Sequence, residues 1–328
     1  MQKLLSPAAF PLVLALSLLL TSIAATHAED YPSRTIHFIV PVNAGGPNDF
    51  VARLLAKRMQ TLMGQPVIVE NRPGAGGNLG TEYVAKQPAD GYTILESALS
   101  HVINQNFTTK LRYDPMKDFV PITAAVSTPF VLVVNPEVPA HNIKEFIALA
   151  KAKPGTLNYA SAGVGTPHQL ATELLKSMTG TKMVHVPYKG ANEIIPALLA
   201  HQVDFTIIAT FGVLPHIKAG KLRAIAMASP TRSTQLPDVP TIAEALPLPG
   251  YAMDVWQGVL APAGTPKAVI TKLNQTITTI LKEPDSVTKL RNLGLEPIPT
   301  TPERFGEMMK SDAVKWAKVV QDAGIGVH

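Results

Sequence analysis

The 328 residues contain no cysteine, which excludes disulfide scaffolds, thiolate metal sites and cysteine nucleophiles. Charge is sparse at 16%, and the net +5 is spread without a Lys/Arg block, so nucleic acid is not an expected partner. Nine histidines are scattered without an HExxH or paired spacing, and neither a metal nor a cofactor is expected. Beyond the N-terminus, no stretch reaches the roughly 20 apolar residues of a membrane span without charges or prolines. What is present is ample apolar content, 46%, which excludes intrinsic disorder. Twenty-nine prolines and 22 glycines point to many short, sharply turned connections. At roughly 100–200 residues per domain, the length suggests two domains, each able to bury a core.

The first 28 residues have the pattern of an address. Lys3 supplies a positive start, and Ala8–Leu20 forms an apolar run of about 13 residues, short of a span. Small and polar residues follow, ending Ala24-Ala25-Thr26-His27-Ala28, so a secretory signal peptide cut after Ala28 is expected. The alternative is a retained membrane anchor; a lipid anchor is excluded without cysteine. The expected location of the mature chain is the periplasm.

The remainder alternates strand and helix. Thr35–Val42 is short, β-branched and ended by a turn, as a buried strand is. Pro47, at a first helical position, opens a helix to about Met63, with Phe50, Val51, Leu54, Leu55 and Met59 on one face. Strands are expected at Pro66–Glu70 and Tyr92–Glu96, separated by a glycine-rich turn at 73–80 and a helix to about Lys86. This βαβαβ order implies a parallel sheet with helices on its faces. A second series has strands at 130–134, 157–160, 183–186, 203–208 and 223–228, with helices at 143–152, 168–178, 193–200 and 212–219. Helices at 267–281, 285–293 and 302–323 follow without further strands. The economical arrangement returns them to the first domain, giving crossings near 122–134 and 253–262. Two such crossings make a hinge. The expected fold is therefore α/β, with domain 1 formed by residues 29–128 and 253–328 and domain 2 by 129–252.

In open α/β sheets, ligands bind beyond the carboxyl ends of the strands. Four turns there combine small residues with a helix start: Asn43–Asp49, Gly74–Asn78, Ser161–Pro167 and Tyr188–Asn192. Small residues expose backbone amides, and a helix N-terminus adds unsatisfied donors and partial positive charge, a seat for an anion. Glycines that merely make tight turns are the alternative at any one of them. An exposed terminus contributes only ~0.3–1 kcal/mol to a nearby charge, whereas micromolar binding needs about 8 kcal/mol. Several charged hydrogen bonds at ~1.5–3 kcal/mol each must therefore converge in a water-poor, closing cleft.

Val40-Pro41 with Ala44-Gly45-Gly46-Pro47 and Asp49, then Val69-Glu70-Asn71-Arg72-Pro73-Gly74-Ala75-Gly76-Gly77-Asn78, closely resemble the periplasmic solute-binding proteins of tripartite tricarboxylate transporters. The same family is called the Bug (Bordetella uptake gene) receptors. The resemblance continues through Tyr113-Asp114-Pro115, Asn158–Gly163, Val186–Gly190 and Leu236–Thr241 to Leu260–Pro266, in family order along essentially the whole mature chain. It implies a type II-like Venus-flytrap fold, in which two α/β domains joined by two crossing strands capture a small carboxylate and present it to a membrane permease of large and small subunits. It further implies that the loop Val42–Asp49 holds one carboxylate and that Ser161–His168 closes over it, while variable residues meet the distal half of the ligand.

Three departures bear on the ligand. Val42 replaces a usual aromatic and Asn43 a usual Pro or Ala, enlarging or polarising the wall. Glu96 ends a strand where small residues are commoner; it either enters the cleft, repelling a second carboxylate or pairing with an amino group, or is solvated at the strand end. Ala209-Thr210-Phe211-Gly212 lacks the usual acidic or amide residue. The candidate ligand-binding residues are Val42, Asn43, Ala44, Gly45, Gly46, Asn48, Asp49, Ser100, Ser127, Thr128, Ser161, Ala162, Gly163, Gly165, Thr166, His168, Tyr188, Thr210 and Trp256. Within this set, Asp49 either touches ligand or holds the Gly45–Gly46 turn, since a bare carboxylate suits an anion site poorly. Ser161 and Thr166 are the best hydroxyl donors, with N-capping the alternative. Tyr188 offers a ring wall or a hydroxyl, Trp256 either a pocket wall or hinge packing, and Lys189 is solvated.

Two enzyme readings fit less well. Gly74-x-Gly76-Gly77-x-x-Gly80 displaces the third glycine of GxGxxG and follows the second strand. Ser161 lies in Ala-Ser-Ala-Gly rather than Gly-x-Ser-x-Gly, without a downstream Asp-then-His pair. The expected molecule is a monomeric, non-enzymatic receptor for a small di- or tricarboxylate, aromatic or amino-acid carboxylate. The alternative to transport is delivery of the signal to a membrane sensor kinase.

Overall fold

Apolar β1 (Ile36–Val40) is buried except at His37, and β2 (Val67–Asn71) and β3 (Thr93–Ala98) flank it in parallel. The computed structural model describes residues 31–108 and 111–326; the leader expected over 1–28 lies outside the described residues. α1 spans Pro47–Met63, with Pro47 in its first turn and Gly64 ending it at φ 70°, the left-handed value that glycine adopts without penalty. Val51, Ala52, Leu55, Ala56 and Met59 form its buried face. After β2, a single 3₁₀ turn at Ala75–Gly77 leads into α2 (Asn78–Ala85), so the glycine turn is shorter than expected. The short α3 (Ser100–Ile103) follows β3.

β4 is one strand, Phe119–Val134, 16 residues long, where the sequence suggests a crossing followed by a separate strand. Its first part pairs antiparallel with β9 (Asp254–Pro262) over Phe119–Pro129. Its last part, from Phe130, pairs with β7 (Phe205–Ala209) and β8 (Arg223–Met227). β5 (Asn158–Ser161) lies parallel to β6 (Val184–Pro187) and β7, and two-residue β10 (Glu296–Pro297) pairs with β4. The resulting strand order, β2-β1-β3-β9-β4-β7-β5-β6, describes one curled sheet that changes partners at Phe130. It is parallel within β2-β1-β3 and β6-β5-β7. The strand β9 runs antiparallel to both β3 and β4, and β4 runs antiparallel to β7 and β8.

The second βα series carries α4 (Ile143–Ala152), α5 (Pro167–Thr179), α6 (Ala191–Leu199), α7 (Thr210–Lys218) and the short α8 (Ile242–Ala245). At the C-terminus, α9 (Lys267–Lys282) packs on α1, α10 (Pro284–Asn292) packs on α9 and β10, and α11 (Pro302–Ala323) follows. Of these three, α11 lies against α3 and β4 and also against α5. Its 22 residues reach about 33 Å at 1.5 Å per residue. Phe305, Met309, Trp316, Val319 and Val320 are its buried stripe. Among the described residues, no helix is long and apolar enough to cross a membrane.

Candidate functional site

The β1–α1 loop is held from beneath by Asp49. Its Oδ2 accepts from the Gly45 amide and from Arg53 Nε, each at 2.9 Å, and its Oδ1 accepts from Asn71 Nδ2 at 3.0 Å. Burial raises the Asp49 carboxyl, but those three donors outweigh it and hold the group below the ordinary carboxylate range. Both oxygens are therefore engaged, and Asp49 braces the loop. Asn71 Nδ2 also donates to the Val42 carbonyl at 3.1 Å, so one side chain ties both ends of the turn. Gly45, at φ +88°, and Gly46 have open space where a Cβ would stand. Among the described residues, the amides of Ala44 and Gly46 have no hydrogen-bond partner, and they open at the N-terminus of α1. Asn43, Ala44 and Gly45 are exposed and Val42 is half-buried.

Behind this loop, at the carboxyl end of β3, lies a cavity of about 110 Å³ lined by Pro41, Val42, Asn48, Gly76, Gly77, Thr81, Glu96, Ser97, Ala98, Ser100, His101 and Asn104. Glu96 is only 1% exposed, which corrects the solvated alternative: β3 runs on to Ala98 and β9 pairs along it through Leu95–Ala98. Asn48 Nδ2 donates to Glu96 Oε1 at 2.9 Å and Oε2 at 3.2 Å. Burial pushes the Glu96 carboxyl up to about 8, against the opposing Asn48 bond and with help from the Asp49 charge. His101 Nε2 meets the Pro115 carbonyl at 2.8 Å, and burial lowers its imidazole to about 4. Ser100 is exposed at the cavity rim.

The loop after β5 uses its hydroxyls internally. Ser161 is fully buried; its Oγ lies 2.6 Å from His185 Nε2 and 3.0 Å from the Gly163 carbonyl, and it accepts from the Gly163 amide at 3.1 Å. Thr166 Oγ1 donates to the same carbonyl at 2.7 Å. Both hydroxyls stitch the turn, and Thr166 makes no side-chain cap to α5. The Gly165 amide is likewise taken by Gln169 Oε1 at 2.8 Å. Among the described residues, the amides of Ala162, Val164 and Thr166 have no partner. They are the donors this loop retains at the N-terminus of α5. His168 is lowered to about 4 by burial and packs edge-on to Phe130, 5.5 Å between centroids. Tyr188 is half-buried against the apolar cluster that includes Ile194 and Met227, next to this loop through its amide bond to the Ser161 carbonyl.

Four further candidates are buried in the framework. Trp256 is fully buried, donates Nε1 to Asp312 Oδ2 at 2.8 Å and meets Phe305 edge-on. Thr210 is buried and donates Oγ1 to the Pro129 carbonyl at 3.0 Å, anchoring α7 to β4. Ser127 and Thr128 are buried in the β4–β9 ladder opposite Trp256 and Val255. Sequence reasoning missed Phe107, against which Gly165 packs, and His185, the ring beside Ser161. No motif marks either; both are found only once the loops are placed.

Two more bonds tie the segment after β8 to α10 and β10: Gln235 Nε2 donates to the Arg291 carbonyl at 2.7 Å and Thr234 Oγ1 to Glu296 Oε1 at 2.6 Å. A larger groove of about 520 Å³ runs along α1 and α10, but its basic side chains already have partners in part, Arg58 with Glu283 and Lys289 with Asp285. The first loop, which carries the open Ala44 and Gly46 amides, adjoins the acid-containing cavity through Val42 and Asn48.

The model of the tripartite tricarboxylate transporter family receptors matches residues 51–325. Protein BugT of Bordetella pertussis is 38% identical over 303 residues, 92% of this chain and 93% of that protein. The solved structure of R. palustris Rpa4515 with adipate is 36% identical at a TM-score of 0.76, covering 90% of this chain and 99% of that one. MatC (Rpa3494) from Rhodopseudomonas palustris with bound malate is 33% identical at 0.71, covering 88% and 100%. The fold is the two-domain Venus flytrap of these proteins, which are periplasmic substrate-binding receptors and not enzymes. The chain belongs to the tripartite tricarboxylate transporter receptor family.

Proposed function

We propose that this chain is an extracytoplasmic solute-binding receptor, secreted and cleaved after Ala28, which captures a small organic carboxylate and delivers it as a monomer to the large and small integral-membrane subunits of a tripartite permease. The ligand lies between a lobe of residues 29–128 and 253–328 and a lobe of residues 129–252. The observation that carries this reading is the pair of unpartnered amide sets, Ala44 and Gly46 on one loop and Ala162, Val164 and Thr166 on the other. Each set stands at a helix N-terminus, where partial positive charge favours an anion. Val42, Asn43, Asn48 and Ser100 surround the first set, and Tyr188 and His168 border the second. The adipate and malate of the two R. palustris structures are dicarboxylates, and a carboxylate suits such a seat here. Ligand that bridges both loops binds the closed form better and shifts the open–closed equilibrium toward it.

Isothermal calorimetry against C4–C8 dicarboxylates, citrate, amino acids and aromatic acids tests the ligand class. Binding of at least one carboxylate is expected, and binding of a neutral sugar alongside silence toward every carboxylate overturns the reading. Delivery is tested with vesicles holding the two membrane subunits, whose uptake of that carboxylate should depend on added receptor.

A further inference from the structure

The cavity behind the first loop has a composition that a simple carboxylate leaves unexplained. Glu96 is buried within it, and its hydrogen-bond partner is the neutral Asn48 amide. No Lys or Arg is among the residues lining it. Other buried acids of the chain have cations: Asp49 has Arg53 at 2.9 Å, and Glu173 has Lys176 at 2.7 Å. A buried carboxylate without a cation is costly, and such groups are retained where something completes them.

Two further groups of the lining are unpartnered. Ser97, 2% exposed, has no hydrogen bond to Oγ, and His101, 4% exposed, has none to Nδ1. Because a carbonyl can only accept, His101 Nε2 must donate to Pro115, which leaves a bare lone pair on Nδ1. The cavity thus offers an acid, a nitrogen acceptor and a hydroxyl, and lacks a group carrying several N–H donors and a positive charge. At about 110 Å³ it exceeds many times over the ~10–15 Å³ that one water requires. It is continuous with the anion seat, since Val42 and Asn48, which line it, flank the loop that presents Ala44 and Gly46. Asp49, beneath the same loop, adds negative charge on this side.

We propose that Glu96, Ser97 and His101 form an ammonium subsite, so that the ligand is an amino carboxylate whose acid group rests on the Ala44 and Gly46 amides and whose protonated amine enters the cavity. This rests on the carboxylate-receptor reading above and narrows it. Alone, the Glu96 carboxyl keeps its proton near neutrality; opposite a bound ammonium it ionises, and the pair forms with loss of that proton.

Calorimetry on matched ligands tests it: 2-aminoadipate and 6-aminohexanoate against adipate and hexanoate, and aspartate against malate and succinate. At least one amine-bearing member should bind ten-fold or more tightly than its des-amino analogue. Glu96→Gln, which keeps an oxygen for the Asn48 bond, should erase that preference while leaving the des-amino acid within about three-fold. Wild-type titrations at pH 7 in buffers of different ionisation heat supply a second measurement that needs no variant. The amino carboxylate should release close to one proton and the des-amino acid none. Equal or tighter binding of every des-amino partner, with no proton release, overturns the ammonium subsite and leaves the carboxylate receptor intact. Silence toward all of these acids and the wider panel overturns both.

Discussion

The Cα of Gly165 faces the ring of Phe107 so closely that a Cβ there would stand 2.9 Å from a ring carbon. Gly165 belongs to the loop after β5 and Phe107 to the turn after α3, so the contact joins two segments distant in sequence. The backbone at Gly165 has φ +76°, which glycine alone adopts freely. Gly165→Ala should therefore weaken ligand binding about ten-fold or more by opposing closure. The backbone strain, about 1–2 kcal/mol, persists when the ring is removed, whereas the clash does not. A Gly165→Ala/Phe107→Ala double variant should accordingly recover part of the affinity, read by calorimetry as a coupling between the two sites. Failure of the double variant to improve on the single would show that this contact does not limit closure.

Asp49→Asn should loosen the first loop. An amide keeps one acceptor oxygen but sets its own N–H groups against donors from Gly45, Asn71 and Arg53. Loss of one or two charge-assisted bonds at ~1.5–3 kcal/mol each is expected mainly from Gly45 and Asn71, because Arg53 is half-exposed and screened. The folded-state carboxyl is held low, so its stabilising contribution is present above the unfolded carboxylate range and lost as pH falls through the folded value. Thermal melts should show the largest gap between wild type and variant near neutrality, closing below about pH 4. A gap that does not change with acid would assign Asp49 a purely steric role.

Several elements were legible because their signals are local. The bounds of α4 and α11 follow from Asn142 as an N-cap that accepts from the Glu145 amide and from Pro302 in a first turn. The composition of the Ala44–Gly46 turn marks a loop that leaves backbone amides open at a helix start, as the structure has it. What was illegible depends on neighbours distant in sequence. Ser161 and Thr166 stand at a helix start, where capping, ligand binding and loop bracing use the same residue types; their bonds to the Gly163 carbonyl form only once the turn is folded. Trp256 and Thr210 lie on β9 and at the start of α7, and their burial follows from packing on α11 and β4. Glu96 reads equally well as solvated or enclosed until β9 covers β3.

The Glu96 carboxyl gives a pH dependence of opposite sign to that of Asp49. Burial raises it to about 8, so between the unfolded carboxylate range and that value the folded state holds a proton the unfolded state has lost. Stability from this group is complete below the unfolded pKa and declines as pH rises through the folded one. Glu96→Gln has nothing to ionise. In the absence of ligand, its melting temperature relative to wild type should climb from pH 5 to pH 9, measured by scanning fluorimetry in one ionic strength. A difference that stays flat over that range would mean that Glu96 is ionised throughout in the empty cleft.

Gly46 separates binding from folding. Its φ of −86° and ψ of 174° are extended backbone that a β-branched residue adopts readily, and nothing lies within 4 Å of the position a Cβ would take. Its amide is unpartnered at the N-terminus of α1. Gly46→Val therefore asks nothing of the core: the melting curve should match wild type within the ±0.5 kcal/mol usual for substitutions away from packed features. The isopropyl group projects into the space that a carboxylate needs in order to reach the Ala44 and Gly46 amides, and calorimetry should find binding abolished. Displacing an anion by one methyl-sized step from its donors forfeits charged hydrogen bonds of ~1.5–3 kcal/mol each, ten-fold or more in affinity for every bond lost. Gly46→Ala, with a smaller group in the same place, should fall between the two. Unaltered affinity in both variants would place the carboxylate away from this turn, because the substitutions change little else.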